Sequence, residues 1–342
     1  MRRLLKARAL NLSARLQDWA FYSGIPLARQ HNSALAGLLG RVFFAALPSV
    51  TKDKNSLREF VDSLQPISPL RRSRTPNEIH ENLPKIDILV AAVEKDFAIL
   101  KLTIEAAILS SLNPVSSVRV VVPRNSVADA EEALGAIAEV TSEEIFLPSA
   151  LANAASRFET IGRTGWVTQQ LIGFYGAWSS KSPGVLVLDS DTLLVGERVW
   201  LTESGVQPLS ISYEYHQPYE SHASRIWGKR KRNHFLSFVT HYMLMQPAVV
   251  RQMFPTLADL VRWADMSDLG ELSGLADYHS YGRWISDNRP RQIRFERWSN
   301  ISSDFEWSDG STKERVEKLI KAHPDALSFS SHSWARNPHK NS

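Results

Sequence analysis

Two aspartates, Asp189 and Asp191, directly follow an unbroken apolar run over residues 185–188. Such a run, rich in β-branched residues, is typical of a strand buried on both faces of a parallel sheet. If the chain stays extended, residues two apart face the same side, beyond the carboxyl end of the strand, where open α/β sheets bind ligands. Two carboxylates at one point repel each other, and a divalent cation with oxygen ligands relieves that repulsion. The pattern predicts a metal site; the alternative is a turn in which aspartate caps backbone amides.

The segments around this motif alternate between strand and helix. Apolar runs and helical periodicity predict strands over residues 86–93, 118–122, 143–147 and 185–188, separated by helices over 96–112, 127–140 and 166–178. Later strands are predicted over 209–213, 237–245, 292–295 and 326–330, with a helix over 249–262 and one helix or two short ones over 269–285. The fold class is therefore predicted to be α/β, with a Rossmann-like sheet covered by helices on both faces. His241 lies inside a predicted strand and is expected in the core.

The loop after the first predicted strand reads Val93-Glu94-Lys95-Asp96. It carries neither of the glycine-rich patterns, Gly-x-x-x-x-Gly-Lys and Gly-x-Gly-x-x-Gly, that hold phosphates in P-loop and dinucleotide-binding proteins. The sequence therefore disfavours both classes. A cation held by Asp189 and Asp191 would instead bridge the two phosphates of a nucleotide diphosphate.

The charge of the 342-residue chain is unevenly distributed. Residues 1–80 hold 13 Lys and Arg against 5 Asp and Glu, whereas the remainder holds 27 against 31. Because the part that carries Asp189 is slightly acidic, we expect no nucleic-acid partner. The chain has no cysteine, which excludes disulfides, thiolate metal sites and a cysteine nucleophile, and which suits a cytoplasmic location.

The basic N-terminal segment is predicted to be a separate unit. Residues 1–20 have the pattern of a basic amphipathic helix, and prolines accumulate over residues 63–84. We therefore divide the chain into a helical extension with a Pro-rich linker over residues 1–83 and a catalytic domain over residues 84–342. Two interpretations of residues 1–50 stay open: a peripheral anchor on an anionic membrane surface, or ordinary helices docked on the body.

Several short motifs together resemble the GT-A fold of nucleotide-sugar glycosyltransferases, and more narrowly an uncharacterised bacterial family of that fold. The motifs are residues 86–93, Gly165-Trp166 with Gln169-Gln170, Leu188-Asp189-Ser190-Asp191, residues 277–282 and residues 330–333. The resemblance implies a mixed sheet and a metal-dependent transfer of a sugar. The donor would be a nucleotide sugar, and the acceptor a saccharide or a lipid-linked sugar in the synthesis of bacterial surface polysaccharide.

The resemblance also implies roles for individual residues. Asp189 and Asp191 would bind Mn²⁺ or Mg²⁺ and the donor diphosphate, with His332 as the third metal ligand. Asp277 would take the proton of the acceptor hydroxyl, with His279 as a second candidate for that step. Three residues of one predicted helix would contact the donor, unless they serve packing alone: Trp166, Gln169 and Gln170. Around Asp277 the sequence departs from the family pattern, since it lacks a serine and a second glutamate.

Two other functions stay open. A non-catalytic protein of the same fold would bind sugars, lipid or another protein, and the altered sequence around Asp277 favours it. A haloacid-dehalogenase-type phosphatase also carries Asp-x-Asp at the end of a strand, but there a glycine precedes the threonine, whereas Thr192 follows Asp191 directly. The basic run over residues 228–232 is either a mobile loop that grips a phosphate-bearing acceptor or a solvated loop.

Overall fold

The computed structural model describes residues 82–212, 217–228, 237–267, 274–302, 310–324 and 326–331. The predicted amphipathic helix over residues 1–20 and nearly all of the predicted N-terminal extension lie outside these residues. The basic run over residues 229–232 and His332 also lie outside them. What the sequence predicts for these segments therefore stays a prediction.

Strands and helices follow one another throughout the described part of the chain. The strands are β1 (Ile86–Ala91), β2 (Val115–Val122), β3 (Glu139–Ser142), β4 (Gly184–Asp189), β5 (Thr192–Leu194), β6 (Gln207–Ile211), β7 (Tyr242–Met245), β8 (Ile293–Arg297), β9 (Asn300–Ser302) and β10 (Ser328–Ser330). The α-helices are α1 (Phe97–Ser110), α2 (Val127–Leu134), α3 (Glu143–Phe146), α4 (Ser149–Ser156), α5 (Thr164–Ser179), α6 (Gln217–Trp227), α7 (Pro247–Met253), α8 (Leu257–Asp265), α9 (Asp277–Asn288) and α10 (Thr312–Ala322). Among these described helices, none is long and apolar enough to cross a membrane.

The central sheet has the strand order β3-β2-β1-β4-β7. The first four strands are parallel, whereas β7 runs antiparallel to β4, with Leu188 opposite Tyr242. The last residue of β4, Asp189, lies opposite Ala91 at the end of β1. Because β7 runs in the opposite direction, its first residues lie at the edge where β4 ends. This mixed arrangement brings the carboxyl ends of β1 and β4 and the start of β7 together.

Helices cover both faces of the sheet, as the alternating pattern predicts. Leu89 and Val187 pack on one face with side chains of α4, α5, α7, α8 and α9. Val90 and Leu186, one residue along each strand, pack on the opposite face with α1 and α2. The period of two is the expected consequence of strand geometry. The prediction of an α/β fold with a mixed sheet and helices on both faces is confirmed.

One strand was predicted at the wrong place. Residues 143–147 are not the third strand: the strand is β3, which ends at Ser142, and α3 begins immediately after it. The Ser142 hydroxyl accepts a hydrogen bond from the backbone N–H of Ile145 and so caps the short helix. The preceding helix α2 is shorter than predicted because Gly135, with φ of 58°, ends it, and a 3-10 turn over Gly135–Ile137 then leads to β3.

Two further segments differ from their predictions. In the range 237–245, only β7 is a strand. The single helix predicted over residues 249–262 is two helices, α7 and α8. Thr256 and Asp259 form a capping box at the start of α8, which is a local signal for a new helix.

Candidate functional site

Asp189 and Asp191 lie on a tight turn at the edge of the central sheet. Asp189 ends β4, Ser190 and Asp191 form the turn, and β5 follows at once. Both aspartates are half-buried, whereas Ser190 is buried. The turn therefore presents its acidic residues at the edge where parallel α/β sheets bind ligands.

Bonds from two other parts of the chain hold this turn in place. The Ser190 hydroxyl donates to Asp96 Oδ2 over 2.9 Å, which ties the turn to the loop after β1. The backbone N–H of Ser331 donates to the carbonyl oxygen of Asp191 over 3.0 Å, which ties it to the end of β10. Ser331 is the last residue that the structure describes, and His332 follows it in sequence.

Three polar side chains converge on the carboxylate of Asp189. His241 Nδ1 lies 2.9 Å from Asp189 Oδ2. The Tyr278 hydroxyl donates to Oδ1 over 3.2 Å, and Gln169 Nε2 donates to the same oxygen over 3.4 Å. Of these, Gln169 is a predicted site residue, and Tyr278 lies in the motif over residues 277–282. His241 was expected in the core, but its side chain is 19% exposed and bonds to Asp189.

The electrostatics of Asp189 favour a positively charged ligand. Burial raises the pKa of its carboxyl, and the hydrogen bond and charge of His241 oppose that rise. The nearby charge of Asp191 raises the pKa further, because two carboxylates repel each other. A cation at this turn would remove the repulsion and stabilise both ionised groups.

Asp277 lies close to Asp189 but deeper in the protein. It begins α9 and is 4% exposed. Its Oδ1 accepts the backbone N–H of Tyr278 over 2.7 Å, and its own backbone N–H donates to Gln170 Oε1 over 2.9 Å. Burial raises the pKa of the Asp277 carboxyl well above its usual range, and the charge of Asp189 adds to the shift. The structure thus gathers Asp277, Tyr278 and Gln170 beside the acidic turn.

The other predicted proton acceptor, His279, faces a different neighbour. Its ring is buried between α9 and α6, and its Nε2 lies 3.4 Å from Glu220 Oε2. The rings of Tyr219 and Phe238 flank it. Arg283, one turn further along α9, also donates to Glu220. These contacts join α9 to α6, and they give His279 a position in the packing between those helices.

The predicted donor-binding residues all lie on α5, and they donate or accept hydrogen bonds within the protein. Trp166 Nε1 donates to the carbonyl oxygen of Leu275 over 3.3 Å, and Gln169 and Gln170 bond to Asp189 and Asp277 as described. Between them lies a cavity of about 10 Å³ lined by these glutamines, Asp277, Tyr278 and apolar neighbours. That volume corresponds to about one water molecule. A sugar would therefore have to bind on the open side of the turn.

The residues at the turn partly fit the metal ion that the sequence resemblance implies. Carboxylate oxygens are the ligands that Mg²⁺ and Mn²⁺ prefer, and Asp189 and Asp191 supply them. Within the described ranges, however, no group of three or more His, Asp or Glu side chains is placed to hold a metal ion. The predicted third ligand, His332, lies beyond those ranges.

Comparison with known proteins yields structural neighbours alone. No protein-family model matches the chain. No curated protein matches it in sequence. Among solved structures, the chain is similar to mouse xyloside xylosyltransferase 1 in its apo form, with 11% identity and a TM-score of 0.40 over 73% of this chain and 99% of that one. It is also similar to the galactosyltransferase LgtC in complex with donor and acceptor sugar analogues, with 14% identity and a TM-score of 0.39 over 75% of this chain and 90% of that one. Similarity at this level carries no argument about activity.

Proposed function

We propose that this protein is a glycosyltransferase that moves a sugar from a nucleotide-diphosphate donor to a saccharide or lipid-linked acceptor. The observation that carries the proposal is the position of Asp189 and Asp191. They lie half-buried on the turn after a central strand, at the ligand-binding edge of the sheet, where polar side chains from α5, α9 and the start of β7 converge.

In this proposal Asp189 and Asp191, with His332, hold Mn²⁺ or Mg²⁺. When bound, the cation would neutralise the negative charge of the diphosphate as it leaves. Tyr278 and Gln169 orient the Asp189 carboxylate by donating to Oδ1. Trp166 and Gln169, half-buried on α5, would lie beside the donor sugar, whereas Gln170 is buried and accepts the backbone N–H of Asp277.

Asp277 is proposed to take the proton of the acceptor hydroxyl as its oxygen attacks the sugar carbon and the diphosphate departs. Burial raises the pKa of its carboxyl, which makes the ionised form a stronger base. His279, which was the second candidate, contacts Glu220 instead, so we place the proton transfer on Asp277.

The proposal also includes a cellular location and a role for each part of the chain. We place the protein in the cytoplasm, with the basic residues 1–50 as a peripheral contact to the anionic inner membrane of a bacterium, in surface polysaccharide synthesis. The extension over residues 1–83 would then serve attachment, and residues 84–342 catalysis.

A second candidate is a non-catalytic protein of the same fold that binds a sugar nucleotide. The burial of Asp277 favours it, because a carboxyl that is 4% exposed cannot meet an acceptor hydroxyl unless the surrounding helices move. Tight nucleotide binding without release of nucleoside diphosphate in the presence of acceptors would support this candidate over the transferase.

A ligand screen by thermal unfolding tests the site. Nucleoside diphosphates and nucleotide sugars are each added with Mn²⁺ or with a chelator. A ligand present at 100 times its Kd stabilises the fold by about 2.7 kcal/mol, or roughly 4–5 °C in Tm for a protein of this length. We expect a Mn²⁺-dependent rise that Asp189→Asn and Asp191→Asn abolish.

The matched control for this screen is Asp129→Asn, an exposed aspartate on α2. It should keep the full Mn²⁺-dependent rise. If the two site variants respond to every nucleotide as the unmodified protein does, or if no nucleotide stabilises the protein, the proposed site is wrong. Release of nucleoside diphosphate with candidate acceptors then separates catalysis from binding alone.

A further inference from the structure

We infer that His241 is a positioning residue, which holds the carboxylate of Asp189 in the orientation that binds the cation and the diphosphate. This inference rests on the proposed function. It adds a residue that the sequence places fifty positions away from the acidic turn and that no motif of the chain marks. It is carried by contacts between His241 and Asp189 through both backbone and side chain.

The backbone contact follows from the direction of β7. His241 immediately precedes that strand, and β7 runs antiparallel to β4. The backbone N–H of Asp189 donates to the carbonyl oxygen of His241 over 2.9 Å, which extends the ladder between the two strands by one bond. The pairing therefore places residue 241 beside residue 189 regardless of its side chain.

The side-chain contact adds orientation to this placement. His241 Nδ1 lies 2.9 Å from Asp189 Oδ2, while Tyr278 and Gln169 donate to the other oxygen, Oδ1. With both oxygens bonded, the carboxylate cannot rotate about its last bond. A preformed orientation of this kind is how groups behind a ligand-binding carboxylate raise its affinity.

The histidine ring is itself supported. It packs against the ring of Trp298, with centroids 5.2 Å apart and planes inclined at 55°. Trp298 is anchored at the end of β8, where its backbone N–H donates to the carbonyl oxygen of Ile211 over 3.1 Å. The side chains of His241 and Asp189 are 19% and 22% exposed, so the pair lies where a ligand can reach the carboxylate.

Three substitutions of His241 distinguish a positioning role from direct contact with the ligand and from packing alone. His241→Asn keeps an N–H donor near the place of Nδ1, His241→Gln moves the donor outward to the place of Nε2, and His241→Leu removes it. The affinities of these variants for UDP, GDP, CDP and ADP, each with Mn²⁺, are measured by titration calorimetry, beside unmodified protein and Asp189→Asn. Their free energies of unfolding are measured by urea titration.

We expect His241→Leu and His241→Gln to weaken Mn²⁺-dependent nucleotide binding by about 10- to 100-fold, the usual cost of removing a supporting group behind a metal ligand. His241→Asn should stay within about threefold of the unmodified protein, since one hydrogen-bond donor is kept. A loss of stability alone would not make His241→Gln bind more weakly than His241→Asn, because Asn and Gln fill the site comparably.

Three results would overturn the inference. If Gln preserves binding and Asn does not, His241 contacts the ligand directly through Nε2. If all three variants bind as the unmodified protein does while Asp189→Asn does not, the acidic site stands and His241 serves packing alone. If neither the unmodified protein nor any variant binds a nucleoside diphosphate with Mn²⁺, the proposed function fails and the inference falls with it.

Discussion

The carboxyl group of Asp277 lies directly against the backbone of Gly173. A Cβ atom placed on residue 173 would be 2.4 Å from Asp277 Oδ2 and 3.3 Å from a methyl carbon of Val187. A side chain at residue 173 would therefore require the Asp277 carboxyl to move. The glycine therefore allows α5 to approach both β4 and the start of α9, and this approach brings Gln169 and Gln170 to the acidic residues.

Gly173→Ala is expected to destabilise the protein by about 1–3 kcal/mol, because overpacking a closed site forces its neighbours to move. Gly165→Ala in the same helix is the matched control, since no atom lies within 4 Å of an added Cβ there. Alanine suits a helix better than glycine, so the control should be neutral or gain up to about 1 kcal/mol. Urea unfolding measures both variants. Equal effects at the two positions would mean that Asp277 does not lie against α5.

The stability of the fold should depend on pH through Asp277. Burial raises the pKa of this carboxyl well above its value in the unfolded chain, so the folded state binds the extra proton between the two pKa values. Its stabilising contribution is present below about pH 4 and is lost as the pH rises through the folded pKa, with a slope of at most about 1.4 kcal/mol per pH unit.

Asp277→Asn removes this titration. We expect the stability of the variant relative to the unmodified protein to increase as the pH rises above about 4 and to level off once the pH exceeds the folded pKa of Asp277, as measured by urea unfolding at each pH. Asp129→Asn, exposed on α2, should show no such trend. A constant difference between Asp277→Asn and the unmodified protein above about pH 4 would mean that the carboxyl is ionised throughout.

The hydroxyl of Tyr278 is expected to matter for ligand binding more than for folding. Tyr278→Phe removes the donor 3.2 Å from Asp189 Oδ1 and leaves the aromatic packing in place. Removing a group that supports a metal ligand typically costs about 10- to 100-fold in affinity, so Mn²⁺-dependent nucleotide affinity should fall about tenfold or more. The control is Tyr175→Phe, whose ring stacks on Trp178 away from the turn. Calorimetric affinities that are equal for the two variants would contradict the role of Tyr278.

The elements that the sequence predicts well are those with long hydrophobic patterns and clear stops. β1, α1 and β4 are of this kind, and Pro123 correctly marks the end of β2. Short elements are not predictable in this way. β3 and α3 have four residues each, so the cap at Ser142, and not a hydrophobic period, decides where the strand ends.

The acidic turn could be predicted because it follows its strand directly in sequence. Of the partners of Asp189, Gln169 was predicted as a site residue. The contacts of Tyr278 and His241 with Asp189 could not be predicted, since they depend on tertiary structure. His241 reaches Asp189 because β7 pairs antiparallel with β4, and Tyr278 reaches it because Gly173 lets α9 and α5 meet. The hydrophobic pattern alone gives no signal for either arrangement, because an antiparallel strand at the edge of a parallel sheet has the same short apolar run as a parallel one. The mixed sheet was implied only by the resemblance.

A buried ion pair contacts the first residue of β7. Arg198 and Glu296 form a hydrogen-bonded ion pair with side chains that are each 1% exposed. Ser210 also donates to Glu296 over 2.6 Å, and Arg198 donates to the Tyr242 hydroxyl over 3.3 Å. The Arg198 guanidinium lies 4.1 Å from the ring centre of Trp200. These contacts connect β6, β8 and the first residue of β7.

Arg198→Met should destabilise the protein by about 3–5 kcal/mol, because it leaves the Glu296 charge buried without a partner. The double variant Arg198→Met with Glu296→Leu should recover most of this loss, since two apolar side chains carry no uncompensated charge.

Arg119→Met is the matched control: its ion pair with Glu139 is exposed, with side chains 44% and 62% accessible, and its removal should cost less than about 1 kcal/mol. Urea unfolding of the four proteins measures the series. If the double variant is no more stable than Arg198→Met, the cost lies in lost packing around Trp200, and not in the unpaired charge.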